Sequence, residues 1–193
     1  MSRKGLRFAL LIGVAGFIIG SSQGLRASGP PRSGQQLLSV PFFPDHTDQC
    51  GPSVVASVLT FWGTPITPAE LKKEIYIAHL KGSLFIDLLL AAQNHGFKAH
   101  LYSGSVEDLK SELDKGHPMI AFLNRGYDFL PVGHYVVING YDNTRRGLII
   151  HSGMKENKFI SYKSFSGYWD KTQHSTLLIL PPEQDKESSH AGT

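Results

Sequence analysis

The stretch "DHTDQCGPSVVASVLTFWG", Asp45 to Gly63, contains the only cysteine of the 193-residue chain. Downstream of Gly51 its apolar residues recur at helical spacing, and Gly63 is a typical stop signal. Pro52 suits the first turn of a helix, where its missing N–H costs no hydrogen bond. The stretch therefore predicts a buried helix with Cys50 immediately before its start.

The position of Cys50 favours a reactive thiol. A helix N-terminus offers unpaired backbone N–H groups and the positive end of the helix dipole, and both stabilise the thiolate, which is the nucleophilic form of cysteine. An unpaired cysteine in an exported chain also suggests reactivity. The alternative is an inert side chain, since free cysteine is often buried in a core.

Residues 1–27 have the features of an export signal. Basic residues precede an apolar run from Phe8 to Gly20, which is shorter than the roughly 18 to 20 residues of a membrane-spanning helix. Cleavage after Ser22 or Ala27 would release a periplasmic or extracellular domain. The alternative is an uncleaved anchor in the inner membrane, with the domain outside the cytoplasm.

Composition divides the rest of the chain into three parts. Residues 28–36 are rich in Ser, Gly and Pro and predict a linker, residues 37–181 predict the folded domain, and residues 182–193 predict a disordered tail. The formal net charge of +3 comes from the N-terminal segment, because residues 28–193 hold one more acidic than basic residue. The domain therefore gives no electrostatic reason to expect a nucleic acid partner. Membrane contact is expected only through an uncleaved N-terminal segment.

Periodicity within the domain predicts helices before most of the strands. After a first strand at 37–43 and the Cys50 helix, helical patterns cover 68–80, 83–95, 106–116 and 164–171, and strand patterns cover 98–103, 118–124, 133–142, 147–153, 158–162 and 175–181. Thr67 and Glu70 form a capping box at the start of the second helix. The order predicts an α+β fold in which the helices are segregated to one side, with N-terminal helices packed on a C-terminal antiparallel sheet.

His134, in "GHYVVINGYD", is the histidine best placed to serve as a base for Cys50. Side chains alternate along a strand, so His134 shares a face with Val136 and Ile138. Because it starts the strand, it can reach the sheet edge where a helix N-terminus meets it. The alternative is a surface histidine at a strand end.

The stretch "VPFFPDHTDQCGPSVVASVLTFWG", together with "GHYVVINGYD" and "ISYKSFSGYW", resembles the bacteriocin-processing cysteine peptidases of family C-39 and their exported stand-alone relatives. The resemblance covers about Val40 to Leu180 and is most specific at "QCGP" and "GHYVV". It implies a papain-like fold in which Cys50 attacks a peptide carbonyl and His134 acts as general base and then acid. It implies a peptide or protein substrate, without identifying it, and neither a metal nor an organic cofactor.

The first departure from the family concerns the oxyanion. A glutamine five or six residues before the cysteine normally donates to the oxyanion, but Asp45 and Pro44 occupy these places. An ionised Asp45 would repel the developing negative charge. The backbone N–H of Cys50 is still a donor, and Gln49 is a candidate for a second one.

The second departure concerns the residue that orients the base. The family has an aspartate at the end of the strand paired with that of the histidine, whereas this chain has "LIIHSG" there. His151 occupies the matching place, or Ser152 if the register slips by one. An imidazole at this place would accept a hydrogen bond from His134 and select its tautomer. The alternative for His151 is an ordinary polar residue at a hairpin end.

These observations predict an exported cysteine peptidase or amide-bond hydrolase with a Cys50–His134 dyad or triad. One alternative is a catalytically weak or inactive domain of the same fold that binds a peptide or protein. Another is a cell-wall amidase or acyltransferase with the same dyad. No metal site is predicted, because His95 with His100, and His46 with its acidic neighbours, lack a recognised zinc spacing.

Overall fold

The computed structural model describes residues 34–45 and 49–182. The predicted export signal at 1–27, most of the linker and all but the first residue of the predicted tail lie outside the described residues. Of the helices that the structure describes, none is long and apolar enough to cross a membrane.

The described residues form an α+β fold around one antiparallel sheet. The helices are α1 Cys50–Phe61, α2 Pro68–Ile75, α3 Phe85–Asn94, α4 Val106–Asp114 and α5 Tyr162–Trp169. The strands are β1 Gln35–Leu37, β2 Lys98–Ser103, β3 Met119–Asn124, β4 Gly133–Asp142, β5 Gly147–Ser152, β6 Lys155–Ser161 and β7 Ser175–Leu180. The strand order is β2-β7-β3-β4-β5-β6, and β1 pairs with the C-terminal end of β4.

The helices occupy both faces of the sheet. Helices α1 to α3 pack over Tyr135 and Val137 of β4, while α4 and α5 pack over Val136 and Ile138. The predicted α+β fold with N-terminal helices on an antiparallel sheet is confirmed, but the restriction of the helices to one side is wrong. The continuous apolar run of β4 explains the difference, because a strand covered on both faces needs apolar residues at every position.

For α2, the capping residues predicted the start of the helix correctly, whereas the apolar pattern did not predict its end. The predicted capping box is confirmed, since Glu70 N–H donates to the Thr67 hydroxyl and Thr67 N–H donates to the Glu70 carboxylate. Helix α2 nevertheless ends at Ile75, and only a 3-10 turn at Ala78–Leu80 continues the predicted pattern.

The start of the domain differs from the prediction. The first strand covers Gln35–Leu37 and pairs with Gly140–Asp142, so residues 35 and 36 of the predicted linker belong to the sheet. No strand forms between 38 and 43, although Val40 is buried among residues of the α1 core. Apolar residues can satisfy their burial by packing without joining a hydrogen-bonded ladder, and Pro41 has no N–H to donate.

Candidate active site

Cys50 is the first residue of α1, preceded by Gln49 as the N-cap. The backbone N–H of Gln49 donates to Oδ1 of Asp45 at 3.0 Å. The N–H groups of the first helical turn have no partner within the helix, and Pro52 lacks one. Cys50 and Gly51 are therefore the residues of this turn whose N–H groups can stabilise an anion.

Close packing holds this helix end against the loop before α3. A Cβ atom at Gly51 would lie 2.8 Å from Oγ of Ser83 and 3.3 Å from Cδ1 of Leu88. The absence of a side chain at Gly51 allows α1 to approach the loop, which forms one wall of the groove beside Cys50.

His134, the second residue of β4, lies beside Cys50. The sulfur of Cys50, a ring nitrogen of His134 and a carboxylate oxygen of Asp45 all lie within 4.8 Å of one another. Alternation along β4 puts His134 on the face of Val136, opposite the face that α1 covers. The two side chains meet because each stands at the very beginning of its element.

Ser152 takes the place beside the imidazole. Nε2 of His134 lies 3.0 Å from the Ser152 hydroxyl, and Nδ1 is the ring nitrogen that this contact leaves unoccupied. The expected contact of His151 with His134 is not formed. The ring of His151 instead bonds the Val40 carbonyl at 3.0 Å through Nε2 and accepts the Asn157 N–H at 3.1 Å through Nδ1.

A one-residue irregularity between β4 and β5 explains why Ser152, and not His151, contacts His134. The register shifts between Ile138 and Gly140, so that His151 pairs with Val137. Uninterrupted pairing from the hairpin would have put His151 opposite Ile138, on the face of His134. One extra residue in a strand turns every later side chain to the other face. Ser152 consequently replaces His151 on the face of the imidazole.

The environment of Cys50 opposes the thiolate. Burial raises the pKa of the Cys50 thiol, and the negative charge of Asp45 raises it further. Hydrogen bonds from the backbone of Tyr135, Gly51 and Cys50 act in the opposite direction. The helix end thus favours the thiolate, as expected, but desolvation outweighs these backbone hydrogen bonds, and the net shift of the Cys50 pKa is upward.

His134 is also neutral at pH 7. Burial lowers the pKa of His134 to about 4, and the positive charges of Arg125 and Lys158 contribute to the lowering, while Asp45 opposes it. The Ser152 hydroxyl, 3.0 Å from Nε2, carries no charge that would favour an imidazolium. Cys50 and His134 therefore form a neutral thiol–imidazole pair rather than an ion pair.

A groove of about 400 Å³ opens beside this pair. Its walls come from residues 80–84 on one side and residues 132–135 on the other. Exposed apolar side chains, Leu80, Leu84 and Val132, stand along its rim. A second cavity of about 310 Å³, near Lys171, shares two lining residues with the groove, Phe122 and Gly133. An extended chain of a few residues fits these dimensions.

The oxyanion candidate Gln49 lines neither of these cavities. Its backbone N–H is occupied by Asp45, and its side chain makes no capping hydrogen bond. The prediction of Gln49 as a second oxyanion donor therefore has no support from the geometry. The backbone N–H of Cys50 keeps its predicted position at the helix end.

Asp45 lies beside the nucleophile, as the sequence analysis expected for the residue at the place of the family glutamine. Its carboxylate also lies within 4.8 Å of a ring nitrogen of His134, and this second proximity was not predicted from the sequence.

Comparison with known proteins identifies the family and the fold of the domain. The model of the Peptidase_C39 like family matches residues 37–177. Among solved structures, the peptidase domain of Streptococcus ComA, a bifunctional ABC transporter involved in a quorum-sensing pathway, is 24% identical with a TM-score of 0.59. The match covers 76% of this chain and 98% of that domain.

A double-glycine-motif protease from an AMS/PCAT transporter, solved in complex with the leader peptide, is 22% identical with a TM-score of 0.61. That match covers 76% of this chain and 94% of the protease. No curated protein matches the sequence significantly. Because the family match spans most of the chain, and the fold agrees with it, the chain belongs to the Peptidase_C39 like family and is a cysteine-peptidase domain with a papain-like fold.

Proposed function

We propose that the domain is exported and hydrolyses peptide or amide bonds, with Cys50 as nucleophile, His134 as general base and then acid, and Ser152 as the residue that orients the imidazole. The observation that carries this proposal is the convergence of the Cys50 sulfur and a His134 ring nitrogen, within 4.8 Å, beside an open groove. Such a pair is the minimum that a cysteine peptidase requires.

The neutral pair makes proton transfer part of the attack. As the Cys50 sulfur approaches the substrate carbonyl, Nδ1 of His134 takes the thiol proton, and the carbon–sulfur bond forms. The imidazolium then gives this proton to the leaving amine as the carbon–nitrogen bond breaks, and a thioester is left on Cys50. His134 takes a proton from water as the water attacks the thioester, the carbon–sulfur bond breaks, and the proton returns from His134 to the sulfur, which releases the carboxylic acid and the free thiol.

The His134–Ser152 hydrogen bond supports these roles. In the tautomer that we propose, Nε2 carries the proton and donates it to the Ser152 hydroxyl, 3.0 Å away, and the lone pair of Nδ1 is exposed. The tautomer that can accept the thiol proton is thereby selected. The oxyanion would be held by the N–H of Cys50, and the carboxylate of Asp45 would oppose it.

The test is hydrolysis of a mixed peptide library, followed by mass spectrometry. The unaltered chain is expected to generate new termini, while Cys50→Ala and His134→Ala are expected to generate none above background. His100→Ala, on the edge strand β2, is the matched control and should cleave like the unaltered chain. Cleavage that persists in Cys50→Ala would contradict the proposal.

A second function, peptide binding without cleavage, is favoured by Asp45. Its negative charge lies within 4.8 Å of the nucleophile, where the reaction develops another negative charge. Asp45→Gln separates the two functions, because a glutamine would offer an N–H donor in place of the carboxylate. An oxyanion donor typically contributes on the order of 100-fold in rate. A weak peptidase should gain activity by this order, whereas a pure binding domain should gain none.

The same dyad would also serve a cell-wall amidase or an acyltransferase. Peptidoglycan fragments and an added amine acceptor, supplied in the library assay, distinguish these reactions by the mass of their products. Free acid from ordinary peptides supports the peptidase, cleavage restricted to wall fragments supports the amidase, and amine adducts support the transferase.

Export is tested by the N-terminus of the protein recovered from bacterial cells. A start at Gln23 or Ser28 would correspond to cleavage after Ser22 or Ala27. An intact Met1 in the membrane fraction, with the domain accessible from outside the cytoplasm, would correspond to an anchor. Recovery of the intact chain from the cytoplasm would contradict export.

A further inference from the structure

A second chemistry is available at the site, because three groups that bind metals converge there. A carboxylate oxygen of Asp45, the sulfur of Cys50 and a ring nitrogen of His134 lie within 4.8 Å of one another. Carboxylate, thiolate and imidazole are the ligands of Zn²⁺ in proteins, and three of them leave one position of a tetrahedral site open. We propose that Asp45, Cys50 and His134 bind a zinc-type divalent cation that holds the nucleophile in an inactive form.

The distances are within reach of a tetrahedral site. Bonds of about 2.0 to 2.3 Å from zinc to its ligands place the donor atoms about 3.5 Å apart. The three donor atoms, separated by at most 4.8 Å, therefore need to approach one another by about 1 Å. Rotation of the three side chains would achieve this without a change of the sheet, because Cys50 and His134 stand at the starts of their elements and Asp45 lies outside the helices and strands.

Two of the three ligands already have an outer partner. Histidines that bind metals usually donate their other ring N–H to a nearby acceptor, and His134 has the Ser152 hydroxyl at 3.0 Å from Nε2. The Asp45 carboxylate accepts the Gln49 N–H at 3.0 Å, and the Asp45 N–H donates to the Gly153 carbonyl at 3.1 Å. These contacts orient both side chains toward the shared position.

The charges balance when the cation enters. The Cys50 thiol loses its proton to the solvent, a metal–sulfur bond forms, and the thiolate and carboxylate together neutralise the two positive charges. The groove beside Cys50 is open to the fourth ligand, a water molecule. Arg125 and Lys158, whose charges act on His134, oppose the cation. The Asp45 carboxylate offsets this opposition, and a glutamine at this position could not.

A sulfur bound to the cation donates one lone pair to the metal and is a weaker nucleophile, and the ring nitrogen of His134 that binds the cation can no longer take part in proton transfer. Inhibition of catalysis by the cation rests on the proposed function. Binding of the cation is independent of that function, because binding requires only the three ligands.

Cobalt is the probe for the site. The purified chain is titrated with CoCl₂, and the thiolate-to-cobalt band is recorded by near-ultraviolet absorption. The chain has one cysteine, so this band reports Cys50 alone. A band that saturates at one equivalent, and that ZnCl₂ abolishes by displacement, is expected. No band with the unaltered chain would overturn the proposal.

Asp45→Asn tests the third ligand. The amide oxygen can still accept the Gln49 N–H, so the helix end keeps its contact. This variant is expected to bind cobalt at least tenfold more weakly, and His134→Gln should do the same if Asp45→Asn fails to fold. Asp128→Asn, an exposed carboxylate 88% accessible, is the matched control and should bind like the unaltered chain. Equal affinity of Asp45→Asn and the unaltered chain would overturn the three-ligand site.

Alkylation distinguishes failure of this inference from failure of the proposed function. Zn²⁺ should protect Cys50 from iodoacetamide, and EDTA should restore the reaction, whether or not any peptide is cleaved. Protection without peptidase activity would retain the cation site and reject the peptidase. Peptidase activity with neither protection nor a cobalt band would reject the cation site and retain the peptidase.

Discussion

His134 and His151 belong to neighbouring strands but to two regions with opposite properties. His134 is partly exposed beside the groove and has one ring nitrogen bonded to Ser152. His151 is 3% exposed, and both of its ring nitrogens are bonded to the backbone. Catalysis by an imidazole requires a nitrogen that can exchange a proton with a reacting group. His134 meets this requirement, whereas His151 connects the segment around Val40 to the sheet by a hydrogen bond to the Val40 carbonyl.

Charge does not distinguish the two residues. Burial lowers the pKa of His134 to about 4, and burial also lowers the pKa of His151. Both rings are therefore neutral near pH 7, and the difference between the two regions lies in their hydrogen bonds. The geometry of the partners, and not the residue type, assigns one histidine to the site and the other to the framework.

The largest effect is expected from His134→Gln compared with His151→Gln. Loss of a general base typically costs about 100- to 10,000-fold in rate, so His134→Gln should lower kcat/KM for peptide hydrolysis by this order. His151→Gln should retain kcat/KM within about threefold per folded molecule, because both ring nitrogens of His151 are bonded to the backbone and not to His134. Initial rates, normalised to the folded fraction by circular dichroism, measure both. Equal losses in the two variants would remove the distinction.

The free energy of unfolding should decrease in acid, because His134 is buried in its neutral form. Its pKa of about 4 in the folded protein lies below the ordinary 6.5, so between these values the unfolded chain binds a proton that the folded protein does not. The contribution of the neutral His134 to the free energy of unfolding is therefore fully present above pH 6.5. It falls by about 3 kcal/mol as the pH falls to 4. His151, shifted in the same direction, adds to the loss.

Urea unfolding at pH 7 and pH 4 measures this dependence. His134→Gln should be less sensitive to acid than the unaltered chain, because glutamine does not bind a proton. The His100→Gln variant, changed on the edge strand, controls for the loss of a histidine as such. An identical pH dependence of the His134→Gln variant and the unaltered chain would show that His134 titrates normally.

His151→Ala should lower stability more than catalysis. The change leaves the carbonyl of Val40, a residue only 4% exposed, without its partner. An unsatisfied buried polar group costs about 1 to 3 kcal/mol, so the free energy of unfolding should fall by about 2 kcal/mol. Urea titration at pH 7 is the measurement. A variant as stable as the unaltered chain would contradict the assignment of His151 to the framework.

Ser152 should produce the smallest effect, because it acts through His134. Ser152→Ala removes the 3.0 Å hydrogen bond to Nε2 and should lower kcat/KM by about tenfold, through loss of the preferred tautomer. Ser152→Asp should instead raise the pKa of His134, since a carboxylate favours the imidazolium. The pH profile of Cys50 alkylation by iodoacetamide measures this shift. A profile that is the same in both variants would show that Ser152 has no influence on the base.

Much of the framework of the site follows from local patterns. The apolar spacing after Gly51 and the Pro in the first turn predict α1, and the run "HYVVI" predicts a buried β4. These patterns place Cys50 and His134 at the starts of a helix and a strand, as the structure has them. The first strand was misplaced, because "LLSVPFF" has a strand-like composition but reaches its burial by packing alone.

The sequence by itself determined the types of element, the caps of α2 and the residues available for chemistry, because these depend on neighbours a few positions away. Only the tertiary structure decided that Ser152 and not His151 faces the imidazole, since one extra residue in β4 sets the register of β5. It also decided the desolvation of Cys50 and His134 and the proximity of Asp45 to His134. Desolvation and charge act through atoms brought together from distant segments, and no local pattern records them.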